Sequence, residues 1–500
     1  MKLFEKKRTA LLLLAALSVS ALASCGEAAA PVSGENADNT LPVETEEVTA
    51  APAKDIVNWE SANLPVVDYG GKAFNILTYD NSNAYYAWRM LDTASLDGEV
   101  MNDAIYNRNR KIEGIYNIKI NSEYSTAVSS GLSKSVRAGD NAYDAGFDQI
   151  GSLYGRAQAG ELANWYDIPH INLDAQWWDQ SVVRDLSYHD KLYVLTGDIS
   201  PLTNVRVYSL VFNKDLCRSL DLDMPYKYVL DGTWTLDVFN EYITNVNADM
   251  NGDGVMDYED RWGYFSQDGN SFMMYFAGGG TVVEKDSKGN YQIVMDSERN
   301  LQLAAKAVDI SADKSKTLMA DGYVAANGNS WPAASSWFAA GGSLMRSSVF
   351  EPVPRDYRSM DTDFGILPYP KFDELQKDYV TLPEETSIMF AVPITANMEY
   401  TGLILESLAA ESVSTVSVAF YDVCLNGKSV RDEESSAMLD IIFANKHFDI
   451  GLICSIGSVK DTLKSLEKKG SADVASKFAS NMSKAEKALA KVTDALDALD

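Results

Sequence analysis

The chain has 500 residues, of which 46% are hydrophobic, 10% aromatic and 23% charged. This composition supplies enough apolar side chains for a large core, and the length suggests two to three domains or one body with two lobes. The formal net charge of −28 argues against nucleic acid as a partner and against a polybasic grip on anionic lipid, because both require a basic face. The acidity itself favours solubility and identifies no ligand.

The N-terminal 25 residues have the pattern of an export signal. MKLFEKKR contains four basic residues, TALLLLAALSVSAL is an apolar run too short to span a membrane, and Leu22-Ala23-Ser24-Cys25 follows. This ending resembles the cleavage box of bacterial lipoproteins, which are cut before the cysteine and carry diacylglycerol on its sulfur. The resemblance implies a signal peptide over residues 1–24 and a lipid anchor on Cys25, facing outside the cell. An ordinary secretory signal with a chance cysteine is the alternative.

Residues 25–58 are predicted to be a solvated tether, because Ala, Pro, Glu, Thr and Asn dominate residues 26–55 and few large apolar side chains occur there. No later run of 18 apolar residues is present, so we expect the lipid to be the sole membrane attachment. The remaining cysteines, Cys217, Cys424 and Cys454, are odd in number and lack zinc spacing, which favours buried thiols over a disulfide framework.

Strands alternate with helices along the body, which predicts an α/β fold with mainly parallel sheets. The residues 98–120 are predicted to form a helix and then a short strand. The predicted strands are KAFNILTYD (72–80), NAYDAGFDQ (141–149), YSLVFNKDL (208–216, leading into a helix), DFGILPYP (363–370) and SIMFAVPITA (387–396). The tail, residues 471–500, has apolar residues at helical spacing, so we expect a helix that packs on the body, with a coiled-coil partner as the alternative.

A twelve-residue acidic loop, DMNGDGVMDYED, occupies residues 249–260. Its spacing matches the EF-hand-type loop, in which oxygen ligands surround calcium and glycine at position 6, here Gly254, allows a sharp turn. The predicted calcium ligands are Asp249, Asn251, Asp253, the carbonyl oxygen of Val255, Asp257 and Asp260. Aspartate at position 12 has a shorter reach than the usual glutamate. The alternative is an acidic surface turn whose Asn-Gly and Asp-Gly pairs merely favour turning.

The segments around this loop indicate a structural ion and not a switch. A helix is predicted before the loop, whereas RWGYFSQDG after it does not continue as a helix, and no second loop of this kind occurs. Secreted modules bind calcium at roughly 10⁻⁴–10⁻³ M, so abundant extracellular calcium would occupy the site permanently.

Several stretches, taken in chain order, resemble carbohydrate-type extracellular solute-binding proteins of bacterial ABC importers. The likeness covers residues 70 to about 455 and rests on NDAIYNRNRKIEGIYNI, WWDQSVVRDLSYHDKLYVLTGD, YSLVFNKDL, GTWTLDVFNEY, DRWGYF, FAAGGSLMRSSVF, DFGILPYPKFDELQKDY and RDEESSAMLDIIFANKHFDIG. It implies a two-lobed, maltodextrin-binding-protein-like α/β fold whose lobes are joined by crossing strands and close on a ligand by hinge motion.

The resemblance also implies the domain boundaries and the partners. Lobe 1 is expected to comprise residues 59–205 and 346–398, and lobe 2 residues 206–345 and 399–470, with the helix 471–500 last. The implied partners are a sugar or oligosaccharide and the transmembrane subunits of an ABC permease, and we expect a monomer.

Ligand-binding groups in open α/β sheets collect beyond the C-terminal ends of strands, and aromatic faces together with polar side chains suit a sugar. The candidates that this rule and the resemblance select are Tyr79, Asp80, Asn81, Asp148, Gln149, Gln267, Asp268, Asn270 and Phe350. Phe350 lies where the family often supplies a stacking aromatic; maltodextrin binders have tryptophan there, which leaves the ligand size open. Trp88, Trp331 and Trp337 are further candidates for the cleft or for packing, whereas Trp177, Trp178 and Trp234 are expected to be structural.

Two other functions compete with solute capture. A glycan-cleaving enzyme needs a pair of positioned carboxylates, which 71 acidic residues could supply by folding, but no sequence motif points to such a pair. His170, His189 and His447 form no metal pair, and no nucleophile elbow, Walker loop or dinucleotide fingerprint occurs. We therefore expect no catalysis. A surface adhesin or sensor would share the tether and the acidity but need not close.

Overall fold

The computed structural model describes residues 57–80, 91–325, 329–350, 357, 360–426, 433–471 and 473–499. Cys25, Asn81, Trp88 and the predicted signal peptide lie outside the described residues, as does nearly all of the predicted tether. The strands are β1 Lys72–Tyr79, β2 Ile118–Ser125, β3 Ala145–Gln149, β4 Tyr208–Asn213, β5 Trp262–Ser266, β6 Val283–Lys285, β7 Tyr291–Ile293, β8 Thr317–Met319, β9 Ser343–Val349, β10 Phe364–Leu367 and β11 Ile388–Ala391.

Helices connect most of these strands, and all five predicted strand segments contain a strand. The helices are α1 Val100–Tyr116, α2 Val128–Ala138, α3 Ile150–Ala157, α4 Gln180–Leu186, α5 Leu202–Val205, α6 Lys214–Ser219, α7 Tyr226–Leu230, α8 Leu236–Tyr242, α9 Asn270–Ala277, α10 Glu298–Ala312, α11 Ser330–Ala339, α12 Met398–Val413, α13 Val416–Asn426, α14 Glu433–Ala444, α15 Ile450–Ile453, α16 Val459–Lys469 and α17 Val474–Asp497.

Two separate sheets organise the body, as the predicted two-lobed α/β fold requires. The smaller sheet has the strand order β11-β3-β1-β2, with β11 antiparallel to its neighbour and the others parallel. The larger sheet has the order β10-β4-β9-β5-β8, with β4 antiparallel to both neighbours. The strands are largely buried because helices cover them, which explains their nearly continuous apolar runs.

The two sheets are joined by chain segments that pair with each other. Residues 206–208 run antiparallel to residues 382–384: the backbone N–H of Tyr208 donates to Leu382 O (2.9 Å) and that of Glu384 donates to Arg206 O (2.7 Å). The N–H of Phe350 donates to Val207 O (3.0 Å). We call residues 206–208, 350 and 382–384 the hinge segments, because they lie between β4 and β9 on one side and β11 on the other.

The structure corrects two of the expected lobe boundaries. Residues 346–398 are expected in lobe 1. However, β9, which includes residues 346–349, and β10 pair within the larger sheet, and of the described strands in this range β11 alone joins the smaller sheet. Residues 399–470 are expected in lobe 2, but α12 packs on α1, beside the smaller sheet, whereas α13 and α14 share a core with β10. Neither a short apolar strand nor a buried helix carries a local signal for the sheet against which it will pack, which explains both errors.

The last helix, α17, packs on the body, as expected of its apolar stripe. Phe478 in its first half meets Tyr275 at 6.4 Å between ring centroids. At its other end the Lys191 ammonium group donates to the carbonyl oxygens of Leu496 (2.9 Å) and Leu499. A cation is favourable at these carbonyls because a helix C-terminus carries partial negative charge. Since Tyr275 belongs to α9 and Lys191 precedes β4, α17 links the larger-sheet side to the smaller-sheet side.

Two further expectations concern the cysteines and membrane spans. Cys217 and Cys454 are free thiols, and burial raises the pKa of Cys454 to about 12. The side chain of Cys424 lies outside the described residues. Within the described chain, the stretch Met398–Val423 is long and apolar enough to cross a membrane, but most of it is buried inside the body, as in a core helix.

A buried glutamate stabilises the packing of α12. Glu406 is 1% exposed and accepts hydrogen bonds from the indole N–H groups of Trp177 (3.1 Å) and Trp178 (2.8 Å), and from the backbone N–H of Asn172 (3.2 Å). Both tryptophans are therefore structural in this arrangement. Burial raises the pKa of Glu406 to about 7, against the opposing effect of these hydrogen bonds.

The raised pKa of Glu406 predicts how stability depends on pH. The folded chain holds this proton up to about pH 7, whereas an unfolded glutamate releases it near its ordinary value of 4.5, so folding binds protons in between. The free energy of unfolding should therefore fall as pH rises from 4.5 to 7, by at most about 3 kcal/mol from this group. Urea unfolding across this range should show a shallower decline in Glu406→Gln than in the wild type; parallel pH profiles would contradict the assignment.

Candidate functional site

The predicted ligand residues of the smaller sheet lie at its C-terminal edge, but they are not equally available. Tyr79 and Asp80 are half-buried at the end of β1, where the N–H of Asp80 donates to Ser125 O (2.9 Å). Asp148 is buried and accepts from the backbone N–H (3.0 Å) and hydroxyl (2.6 Å) of Ser129, so it fixes the first turn of α2. Gln149 is half-buried beside Ile388 of β11. A structural role thus accounts for Asp148.

The candidates of the larger sheet follow β5. Asn270 is fully buried: its Oδ1 accepts from the hydroxyls of Tyr264 (2.6 Å) and Tyr369 (3.2 Å), so it belongs to the core. Gln267 is 1% exposed and accepts from the Ser347 hydroxyl (2.9 Å), while its Nε2 has no partner among the described residues. Gln267 therefore keeps one unused donor.

Asp268 lies at the boundary between the sheet edge and α16. Its Oδ2 pairs with Lys464 (3.3 Å) and Lys468 (2.9 Å), and its backbone N–H donates to Asp321 Oδ2 (2.7 Å). Its Oδ1 has no hydrogen-bond partner in the described part of the chain. Asp268 thus retains one unused acceptor, one residue away from the unused donor of Gln267.

Phe350 does not offer a face for stacking in this structure. Its side chain is 0% exposed and packs edge-on against Phe443 at 5.5 Å. Side chains alternate along β9, so Phe350 lies on the same side as Arg346 and enters the core between the larger sheet and the helices α13 and α14. The expected stacking role is wrong for this conformation, because the sequence position indicated the end of the strand but not the face.

Three aromatic side chains form a cluster at the hinge, and the sequence predicts one of them as a candidate. Tyr208, the first residue of β4, lies 6.1 Å from Phe272 and 6.4 Å from Trp331 between ring centroids. Trp331 is only partly buried and lies 5.9 Å from the guanidinium carbon of Arg346. We call Tyr208, Phe272 and Trp331 the hinge aromatics. Only Trp331 was a sequence candidate; Tyr208 and Phe272 are ordinary apolar positions of a strand and a helix in the sequence.

Ion pairs accompany the hinge aromatics. The Arg206 guanidinium pairs with Glu384 across the two paired hinge segments, and it also donates to the Thr386 hydroxyl (3.3 Å). Lys460 of α16 pairs with Glu385 and lies 4.9 Å from the ring centroid of Phe272. These charged groups connect the larger-sheet side to the segment that leads into β11.

The acidic loop folds around its own backbone N–H groups. Gly254 has φ +79°, which is the turn expected at position 6, and residues 248 and 261 close the loop through two backbone hydrogen bonds of 3.0 Å. Each predicted side-chain ligand accepts at least one loop N–H: Asp249 from Gly252 (2.6 Å) and Gly254 (2.9 Å), Asn251 from Asp253 (2.9 Å), Asp253 from Val255 (2.8 Å), Asp257 from Glu259 (2.8 Å), and Asp260 from Met250 (2.8 Å) and Asp257 (2.9 Å).

The described side chains of the loop have the chemistry of calcium ligands but are not gathered around one point. Within the described residues no group of three or more His, Cys, Asp and Glu side chains is gathered closely enough to hold a metal ion. The side chains of Asp249, Asp253 and Asp257 are oxygen donors of the type that calcium prefers. Backbone hydrogen bonds lower the pKa of Asp260, which keeps its carboxylate charged. Calcium binding therefore stays a prediction, with donors of the right chemistry.

The loop supports the helix that carries Trp331. Tyr258 stacks on Trp337 of α11, with 4.9 Å between the ring centroids and 21° between the planes. The indole N–H of Trp262, the first residue of β5, donates to Asp257 O (2.7 Å). Trp337 thus packs against the loop, and the loop braces both β5 and α11.

The two α/β lobes joined by paired crossing segments are the fold of maltodextrin-binding-protein-like solute-binding proteins. A substrate-binding protein of an ABC system from Listeria monocytogenes, in complex with cycloalternan, aligns with a TM-score of 0.52 and 12% identity over 83% of this chain and 98% of its own. A cyclo/maltodextrin-binding protein complexed with maltotetraose has 0.52 and 14% identity over 86% and 98%. RafE of Streptococcus pneumoniae in its apo form has 0.52 and 14% over 84% and 98%.

At these identities the alignments show the fold alone. No protein-family model matches the sequence, and no curated protein matches it either.

Proposed function

We propose that this chain is a lipid-anchored extracytoplasmic solute-binding protein that captures a sugar or oligosaccharide between two closing lobes and delivers it to an ABC permease. The observation that carries the proposal is the partly exposed Trp331, adjacent to Tyr208 at the hinge of a two-lobed fold. Two of the structural neighbours are described in complex with cycloalternan and with maltotetraose, which favours a glycan ligand.

The chemistry around the hinge suits a sugar. An aromatic face covers the C–H side of a pyranose ring, and nearby polar groups bind its hydroxyls. Trp331 supplies the face, while Gln267 Nε2 and Asp268 Oδ1 are an unused donor and an unused acceptor among the described residues. Tyr79, Asp80 and Gln149 are the matching candidates of the smaller sheet. Contacts from both lobes exist only when the lobes approach, so ligand binding favours the closed state.

Calcium in the loop 249–260 is the second part of the proposal. A bound ion would hold the loop that braces α11 through Tyr258 and Trp337, and so would help to hold Trp331 in place. It would act as a permanent structural ion, since the loop is followed by a strand and has no second copy in the sequence.

A glycan panel tests ligand capture. The purified chain is heated with glucans, mannans, xylo-oligosaccharides and their monomers; we expect a higher melting temperature with at least one of them, intact sugar afterwards, and a smaller radius of gyration in X-ray scattering. Trp331→Ala should weaken binding of that ligand up to about tenfold, because a stacked aromatic contributes roughly 0.5–1.5 kcal/mol. Trp59→Ala is the control, since this half-exposed tryptophan packs on Tyr116.

Three outcomes would contradict this function. Cleaved fragments would indicate an enzyme, binding without any change in scattering would favour an adhesin, and no response to any glycan would remove the sugar assignment.

The anchor is tested by cell fractionation. Cys25→Ser should move the protein from the membrane fraction to the soluble fraction, because the lipid has no other sulfur to bind in the cleavage box. Cys454→Ser should remain with the membrane. Retention of Cys25→Ser would make the lipid assignment wrong.

The calcium prediction is tested by chelation. In calcium, a chelator should lower the melting temperature of the wild type and leave Asp253→Ala almost unchanged, because this variant lacks the ligand at position 5. Asp286→Ala is a matched control: Asp286 accepts the N–H groups of Lys288 (2.8 Å) and Asn290 (2.9 Å) in another turn, outside the loop. Equal chelator sensitivity of Asp253→Ala and the wild type would refute the site.

A further inference from the structure

A cavity of 460 Å³ lies at the edge of the larger sheet, beside its terminal strand β8. We call it the flank cavity. Its principal walls are formed by residues from β5, β8, the turn that follows β8, and α16: Trp262, Leu318, Met319, Tyr323, Glu467 and Lys468. None of the hinge aromatics is among its described lining residues, although Lys468 in its wall pairs with Asp268 (2.9 Å).

Glu467 occupies an unusual position in this wall. On α16 it shares the buried face with Val459, Leu463 and Leu466, and it is only 3% exposed. Its Oε2 accepts from the backbone N–H groups of Gly269 (3.2 Å) and Ser271 (3.3 Å) and from the Ser271 hydroxyl (2.8 Å), which caps the start of α9.

The other carboxyl oxygen of Glu467 is unused. Oε1 is buried and has no hydrogen-bond partner among the described residues. Leaving a buried polar atom without a hydrogen-bond partner destabilises the folded state. Burial also raises the pKa of Glu467 to about 7, against the effect of the Ser271 hydrogen bonds.

Glu406 provides the internal comparison. It is equally buried and its pKa is also raised to about 7, yet both of its oxygens accept hydrogen bonds, Oε1 from Trp177 and Asn172 and Oε2 from Trp178. Burying a glutamate in this protein therefore does not require an unsatisfied oxygen. Glu385 Oε2 also lacks a hydrogen-bond partner among the described residues, but of Glu385, Glu406 and Glu467 only Glu467 lines the flank cavity.

The surroundings of the flank cavity favour a neutral ligand with an apolar face. The nearby carboxylate of Asp268 is already paired with Lys464 (3.3 Å) and Lys468 (2.9 Å). Lys314 also lines the cavity, but its side chain is exposed to solvent. Trp262 and the 43%-exposed Tyr323 supply aromatic surface. A cavity of this size accommodates a small organic ligand.

We propose that the flank cavity is a second binding site, which takes a single sugar ring or a similar cyclic polyol, one hydroxyl of which donates a hydrogen bond to Glu467 Oε1. The ring packs on the aromatic and aliphatic wall. Because Oε2 of the same carboxyl holds Gly269 and Ser271, such a ligand is linked to the start of α9, directly after Asp268. The proposal does not depend on binding at the hinge.

Glu467→Gln tests this proposal without removing the helix cap. The amide oxygen must take the place of Oε2, since only an oxygen accepts from Gly269 and Ser271, and this places the NH₂ group where Oε1 was. The variant therefore replaces an acceptor by a donor at the cavity. Tyr323→Ala removes part of the wall at an exposed position, and Glu406→Gln changes a buried carboxyl that lines no part of the cavity.

The measurement is calorimetric titration of the full-length chain with glucose, galactose, xylose and myo-inositol. We expect at least one probe to bind, with about tenfold or greater loss of affinity in Glu467→Gln, a loss in Tyr323→Ala and no change in Glu406→Gln. The proposal is overturned if none of the probes binds or if Glu467→Gln binds like the wild type. A probe whose affinity falls in Trp331→Ala but not in Glu467→Gln occupies the hinge site, which supports the proposed function and overturns this one.

Discussion

The pairing of the hinge segments is the constraint on which the arrangement of this protein depends. Two sheets could be joined by free linkers, but here residues 206–208 and 382–384 bind each other through their backbones, and Phe350 binds Val207. Hydrogen-bonded extended segments resist separation along their length but permit twisting. Such pairing would keep the two lobes adjacent while their faces rotate, which is the motion that the proposed ligand capture requires. The Arg206–Glu384 ion pair reinforces this pairing, and α17 adds a second connection on the flank through Lys191.

The ring contacts of the acidic loop within the described chain reach α11, the helix that carries Trp331, and not the hinge aromatics themselves. The loop directly precedes β5 in the chain. The stack of Tyr258 on Trp337 connects it to α11, and Trp331 lies in the first turn of the same helix. Ordering the loop therefore fixes one end of a ten-residue helix whose other end contributes to the hinge aromatics. Under the proposed function, an ion in this loop would act on the hinge aromatics through α11 and not through contact with the ligand.

Three buried polar atoms near the start of α9 lack a hydrogen-bond partner in the described chain, as do Thr381 Oγ1 and Ser387 Oγ near the hinge segments. Gln267 Nε2, Asp268 Oδ1 and Glu467 Oε1 all lack a partner in the described chain, whereas Glu406 and Asn270 are fully engaged. Native structures rarely leave buried polar groups in this state without a ligand, an ion or water. The three atoms near the start of α9 lie between the candidates that follow β5 and the flank cavity.

The sequence by itself determined the elements and their polarity: alternating apolar strands and helices, polar residues after β1, β3 and β5, and the turn at Gly254 are set by residues a few positions apart. It did not determine which sheet β9 and β10 join, or that Phe350 faces the core, because a strand's partners and its buried face depend on elements far away in the chain. The sequence does indicate that Glu467 is unusual, because it places a carboxylate on the apolar face of a helix with Leu463 and Leu466. That one of its oxygens has no hydrogen-bond partner among the described residues can be seen only in the folded arrangement of α9 and β8. The sites depend on which elements meet, and only the tertiary structure decides that, because packing brings together side chains that no short sequence pattern relates.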